Sequence, residues 1–120
     1  MDYSKLSDFE INLKVAHIIL GSGNYDWSPE KKEVYLAGID GGVFLPNGYF
    51  DPCNNPADAW PIIASNQISL MYEEAMGKWC AGKPYWVDGC EWQLDIDVMD
   101  ANPLRSAMIF FLMMQEGQHA

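Results

Sequence analysis

Positive charge is scarce in this chain. Among 120 residues, seven Lys and Arg face seventeen Asp and Glu, a formal net charge of −10, and Arg105 is the one arginine. Contacts to nucleic-acid phosphates need Lys or Arg, so direct nucleic-acid binding is not expected. Long apolar runs are missing too. The longest, Met108 to Met114, falls far short of the roughly 20 residues that span a bilayer. Met1-Asp2-Tyr3-Ser4 has no basic segment leading into an apolar one, so no secretory signal is expected either.

Cysteine and histidine are few and scattered. Cys53, Cys80 and Cys90 lack the close paired spacing of a zinc site, and His17 and His119 stand near opposite ends. Three reduced thiols in a reducing compartment are the simplest account, which favours a cytoplasmic protein. No serine sits in a nucleophile elbow, no cysteine has a neighbouring histidine, and the glycines at 21, 23, 38, 41 and 42 do not form a phosphate loop. Neither an enzyme nor a bound cofactor is expected.

What is present is a large apolar complement. The hydrophobic fraction is 49%, including five tryptophans, enough for one core in a chain of single-domain size. Ser7-Asp8-Phe9-Glu10 has the form of a capping box and predicts a helix. Ile11, Val15, Ile18 and Ile19 would be its buried side and Gly21 its stop. Asn24 to Lys32 reads as a connection. Glu33–Leu36, Val43–Leu45 and Tyr49-Phe50, with a turn at Pro46-Asn47-Gly48, predict a meander of three short strands. Asn54-Asn55-Pro56-Ala57-Asp58 supplies a cap, a first-turn proline and an acid for a second helix. Pro61 would either kink that helix or mark its true start.

Ile68–Tyr72, Lys78–Ala81 and Tyr85–Val87 predict strands, with a turn at Gly82-Lys83-Pro84. From Cys90 to Val98 apolar and polar residues alternate: Trp92, Leu94, Ile96 and Val98 would face the core, and Glu91, Gln93, Asp95 and Asp97 solvent. Asn102 and Pro103 then open a last helix that is apolar on almost every side. It has to be covered by a sheet and another helix, or by a partner subunit. The fold class expected is α+β: a small antiparallel or mixed sheet with N-terminal, central and C-terminal helices packed on it.

Asp8-Phe9-Glu10-Ile11-Asn12, the stretch from Phe50-Asp51-Pro52-Cys53 through Trp60-Pro61-Ile62-Ile63, and Asn102-Pro103-Leu104-Arg105 onward to Gln115-Glu116 together resemble the NinX-like family of bacteriophage accessory proteins. The resemblance implies one NinX-like domain over residues 1–120, made in the cytoplasm of an infected or lysogenic bacterium. It brings no catalytic residues, because the family has no established activity.

Two groups of residues are candidates for function. Asp51, Asn54, Asn55, Asp58 and Trp60 combine carboxylates, amides and an aromatic at a loop-to-helix transition, which suits either recognition or simple helix capping. Arg105 lies in the first turn of a helix, where positive charge is unfavourable and something must offset it. A carboxylate such as Asp58, Asp51 or Asp100 would pin the last helix to the central segment; a bound phosphate or nucleotide is the alternative. Glu91, Asp95, Asp97 and Asp100 form an acidic surface without the loop spacing of a metal site, so no metal is expected.

Two kinds of function follow from these residues. One is a non-catalytic phage protein that binds a host or phage protein through an acidic surface, serving host takeover or counter-defence. The other is a binder of a small anionic ligand at Arg105. Acidity that serves solubility alone, carboxylates that mimic nucleic acid before a basic groove, and self-association into a homo-oligomer also remain open.

Overall fold

The computed structural model describes residues 2–36 and 48–118. After a single 3-10 turn at Tyr3–Lys5, the chain forms α1 (Asp8–Ile19), β1 (Tyr25–Ser28), β2 (Glu33–Leu36), α2 (Pro56–Ser65), β3 (Ser69–Glu73), β4 (Lys78–Val87), β5 (Glu91–Asp100) and α3 (Pro103–Gln118). β1 and β2 pair as an antiparallel hairpin, and β3-β4-β5 form an antiparallel sheet in that order. The fold is α+β, as the sequence predicts.

α1 begins where its capping box places it. The Ser7 hydroxyl accepts from the Glu10 amide at 3.2 Å and Glu10 Oε1 accepts from the Ser7 amide at 3.1 Å. Its buried side is Ile11, Asn12, Val15 and Ala16. Ile18 and Ile19 are exposed instead. Ile18 forms part of the wall of an open groove of about 590 Å³ with Tyr3, Lys14, His17 and Tyr25, so the helical period identified a face that the described residues do not fully cover.

The segment 24–32, expected as a connection, contains β1. Its strand character comes from pairing with β2, Tyr25 opposite Leu36 through Ser28 opposite Glu33, and not from any apolar alternation of its own. β2 stands as predicted, and Tyr49 meets Tyr35 in an isolated antiparallel bridge. The predicted strand Val43–Leu45 and the turn leading to Gly48 lie largely outside the described residues. α2 starts at Pro56 and continues through Pro61. Pro61 and Ala57, the residue whose carbonyl loses its donor, are both on the exposed side, where water can serve that carbonyl.

β4 is one strand of ten residues, with no turn at Gly82-Lys83-Pro84. An irregularity of register between Ala81 and Lys83 takes up the misfit. β3 accompanies β4 only as far as Gly82, so Pro84 lies where β4 has an open edge, the setting in which a sheet tolerates proline. The Lys83 ammonium donates to the carbonyls of Asn66 and Gln67, just past the end of α2, where a cation complements the helix dipole.

α3 is the centre of the core. Every residue from Ser106 to Leu112 is buried, which no helix lying on a single surface could achieve. α3 packs on β3, β4 and β5 and against both α1 and α2, so this chain itself covers the helix and no partner subunit is needed to do so. Ile11, Val15, Ile62, Ile63, Ile68 and Val98 are among the side chains that enclose it.

Candidate functional site: a polar clamp at three helix starts

The first turns of α1, α2 and α3 converge. Asp8 and Asn12, one helical turn apart on α1, face the loop 51–55 that leads into α2. The Asn12 amide group donates to Asp51 Oδ1 at 2.7 Å, and its oxygen accepts from the Cys53 backbone at 3.0 Å. Asn54 Nδ2 donates to Asp8 Oδ2 at 3.1 Å and to Asp51 Oδ1 at 3.2 Å. Asn55 caps α2 by accepting from the Ala57 amide at 3.0 Å, while Asp58 accepts from the Asp51 amide at 2.9 Å.

α3 closes the arrangement. Asn102 Oδ1 accepts from the Leu104 amide at 2.9 Å, capping α3, and its Nδ2 donates to the Cys53 carbonyl at 2.7 Å. One side chain thus starts a helix and ties it to the central loop. Arg105 reaches across all of this. Its Nη1 donates to Asp8 at 2.7 Å, its Nε to Asp100 at 3.0 Å, and its Nη2 to the carbonyls of Ser4 at 3.1 Å and Leu6 at 2.7 Å. Its side chain is 14% exposed. Burial alone would lower its pKa, but the hydrogen bonds to Asp8 and Asp100 outweigh that and hold the guanidinium above its ordinary value.

The electrostatics of the clamp are self-consistent. Asp8 and Asp100 pair with the arginine while Asp51 and Asp58 hold the loop at the start of α2, an excess of negative charge that the positive ends of three helices offset. Among the described residues no buried side-chain nitrogen or oxygen lacks a hydrogen-bond partner. Burial, reinforced by the charge of Asp8, pushes the thiol of the fully buried Cys53 well above its usual range, so it is held as an apolar thiol and not as a thiolate.

Of the residues singled out from sequence, Asp51, Asn54, Asn55, Asp58 and Arg105 come together here. Trp60 does not join them; it stands on α2 with 64% of its surface exposed. The pairing of Arg105 is internal, but its partners are Asp100 and Asp8, not Asp51 or Asp58, so the arginine pins α3 to α1 and to the end of β5 instead of to the central segment directly. Asn102 makes that second connection. Asp100 accordingly belongs to the clamp and not to an open acidic face: it also accepts from the Asn102 amide at 2.9 Å. Glu91 is exposed at the far end of β5, and the side chains of Asp95 and Asp97 lie outside the described residues.

Asp8 and Asn12 escaped the sequence reading as site residues, although their spacing of four on a capped helix, within a segment carrying the family resemblance, was the available signal. Beside the clamp lies an open groove of about 490 Å³ whose wall includes Phe9, Lys32, Glu33, Tyr49, Asp51 and Asn54. Among the described residues no three His, Cys, Asp or Glu side chains are grouped to hold a metal ion, and no helix is long and apolar enough to cross a membrane.

Comparison with curated proteins and with solved structures gives no match. A family model described as Bacteriophage P22, NinX matches residues 2–115, a span that takes in α1, the 51–55 loop, α2 and nearly all of α3. The three separate segments that carry the resemblance are the three that the clamp joins, and the chain belongs to the Bacteriophage P22 NinX family.

Proposed function

We propose that this NinX-family protein is a phage accessory protein without catalytic activity, acting in the cytoplasm of the infected or lysogenic cell. It binds a host or phage protein through an acidic surface and so serves host takeover or counter-defence. The observation that carries this reading is the enclosure of Arg105. In a chain with a net charge of −10, the sole arginine is spent inside the clamp and Lys83 is engaged at the end of α2, which leaves Asp88 and Glu91 exposed with no cation nearby in sequence. An exposed field of one sign steers association with an oppositely charged partner.

The alternative, an anionic ligand at Arg105, draws no support from the geometry. A guanidinium has five donors, and protein oxygens take four hydrogen bonds from this one. The anions that three helix starts and an arginine would attract are already there, as the carboxylates of the chain itself.

Affinity capture of the tagged protein from infected cells, at low and at high salt, tests the proposal. A discrete partner whose retention falls as salt rises is the expected result. Recovery of the tagged protein alone at every salt concentration would sink it.

A further inference from the structure

The β4–β5 hairpin has two unlike halves. Near α2 and α3, Cys80, Ala81, Gly82 and Val98 are buried. Beyond Lys83 the burial stops. Pro84, Tyr85 and Trp86 are exposed in succession on β4, and Glu91, Trp92 and Gln93 in succession on β5. Successive strand residues point to opposite faces, so the described residues leave both faces of this half uncovered. At about 3.3 Å per residue, the paired segments form an arm roughly 13 Å long from Lys83 to Val87. Asp88, Gly89 and Cys90 join its strands, with Gly89 at φ +73° supplying the left-handed residue that so tight a connection needs.

The arm carries an aromatic surface. Trp86 and Trp92 stand directly opposite each other, their rings edge to face at 5.4 Å, 52% and 61% exposed. On the opposite face Tyr85 donates its hydroxyl to Gln93, its cross-strand neighbour, at 3.2 Å. Tryptophan and tyrosine are the residues that most often anchor protein interfaces, because they combine large area with few rotatable bonds. Towards the tip, Asp88 in the connection and Glu91 at the start of β5 are exposed, and the sequence from Pro84 to Ala101 holds no Lys, Arg or His.

We propose that this arm is the docking element of the protein, and that its occupant is a folded protein presenting an apolar cleft, fit to receive the Trp86–Trp92 pair, with Lys or Arg placed to meet Asp88 and Glu91 at the tip of the arm. The inference rests on the protein-binding reading above and locates it. Charge selects the occupant. A second copy docking arm to arm would set carboxylates against carboxylates, a nucleic acid would set phosphates against them, and an anionic bilayer would repel the arm although its tryptophans suit an interface.

Trp60, which has nearly the same exposure but lies on α2, provides the control. The probe is the partner captured from infected cells, compared for the wild type, Trp86→Ser/Trp92→Ser, Asp88→Asn/Glu91→Gln and Trp60→Ser, each first shown to have the thermal midpoint of the wild type. Capture should fall about tenfold or more in the tryptophan double variant, fall at low salt in the charge variant, and persist in Trp60→Ser. A photo-crosslinker at position 92 should mark a partner surface containing Lys or Arg. Undiminished capture by both arm variants overturns the arm and leaves the protein-binding reading standing. Failure of the wild type to capture anything removes both. A dimer of the wild type that dissociates in the tryptophan variant, or tryptophan-dependent binding to phosphatidylcholine vesicles, overturns the stated occupant.

Discussion

Asp8, the first residue of α1, and Arg105, in the first turn of α3, are 97 positions apart in sequence and meet at 2.7 Å. The contact joins the two ends of the chain, and the same guanidinium holds Asp100 at the end of the sheet. Removing it should therefore loosen several elements at once. Arg105→Met removes a charged donor from two carboxylates and two carbonyls and should lower stability by about 2–4 kcal/mol. Arg105→Lys restores charge but cannot span four acceptors, so it should recover only part of the loss. Urea unfolding measures both, and a cost below about 0.5 kcal/mol for Arg105→Met would mean that the clamp is decorative.

Asn12 is the buried member of the network, and both ends of its amide are used. In Asn12→Ala the Cys53 amide loses its acceptor in a buried position, which should cost about 1–3 kcal/mol. Asn12→Asp is expected to be worse at neutral pH, because it turns an oxygen towards Asp51 where a donor stood at 2.7 Å. Chemical denaturation of the two variants ranks them; the reverse order would contradict the assigned amide orientation.

Acid should weaken the start of α1. The Ser7 amide and hydroxyl hold the Glu10 carboxyl below its ordinary value of 4.5. A carboxylate with a depressed folded-state pKa contributes stability that is present above the unfolded value and lost as pH falls through the folded one. The difference in thermal midpoint between wild type and Glu10→Ala should therefore be constant near neutral pH and shrink below about pH 4.5. A difference that persists unchanged to pH 3 would show that the contribution of Glu10 is not ionic.

The cysteines should divide by burial. Cys90 is exposed, whereas Cys53 and Cys80 are buried. Titration of the native protein with a thiol reagent should label one site quickly, Cys90→Ser should abolish that phase, and unfolding should release the remaining two. Fast labelling that survives in Cys90→Ser would contradict the enclosure of Cys53 or of Cys80.

The features that were legible in the sequence are those with local chemistry. A hydroxyl three residues before a glutamate, an asparagine before a proline, and Asn102-Pro103 each mark a helix start through contacts of a few residues, and all three helices begin there. What was hidden depends on distant partners. β1 becomes a strand only because β2 lies beside it, and β4 passes through Lys83-Pro84 because β3 has ended there. Of the β5 side chains expected to face the core, Val98 is buried, Leu94 half-buried and Trp92 exposed, so a face marked by alternation need not be covered. Ile18 teaches the same for a helix. The pairing of Arg105 with a carboxylate was legible from its adverse position in a helix dipole, and Asp100 was among the partners expected. Asp8 was not, since nothing local in the sequence brings residues 8 and 105 together.

On the proposed division of labour, a clamp holds the fold and an arm holds the partner. Stability and partner capture measured side by side on Arg105→Lys and Trp86→Ser/Trp92→Ser separate the two roles. The expected result is lowered stability with capture retained, under conditions where the variant remains folded, for the first, and wild-type stability with capture lost for the second. Capture lost in a folded Arg105→Lys protein and retained in the tryptophan variant would contradict the account and move the working site to the clamp.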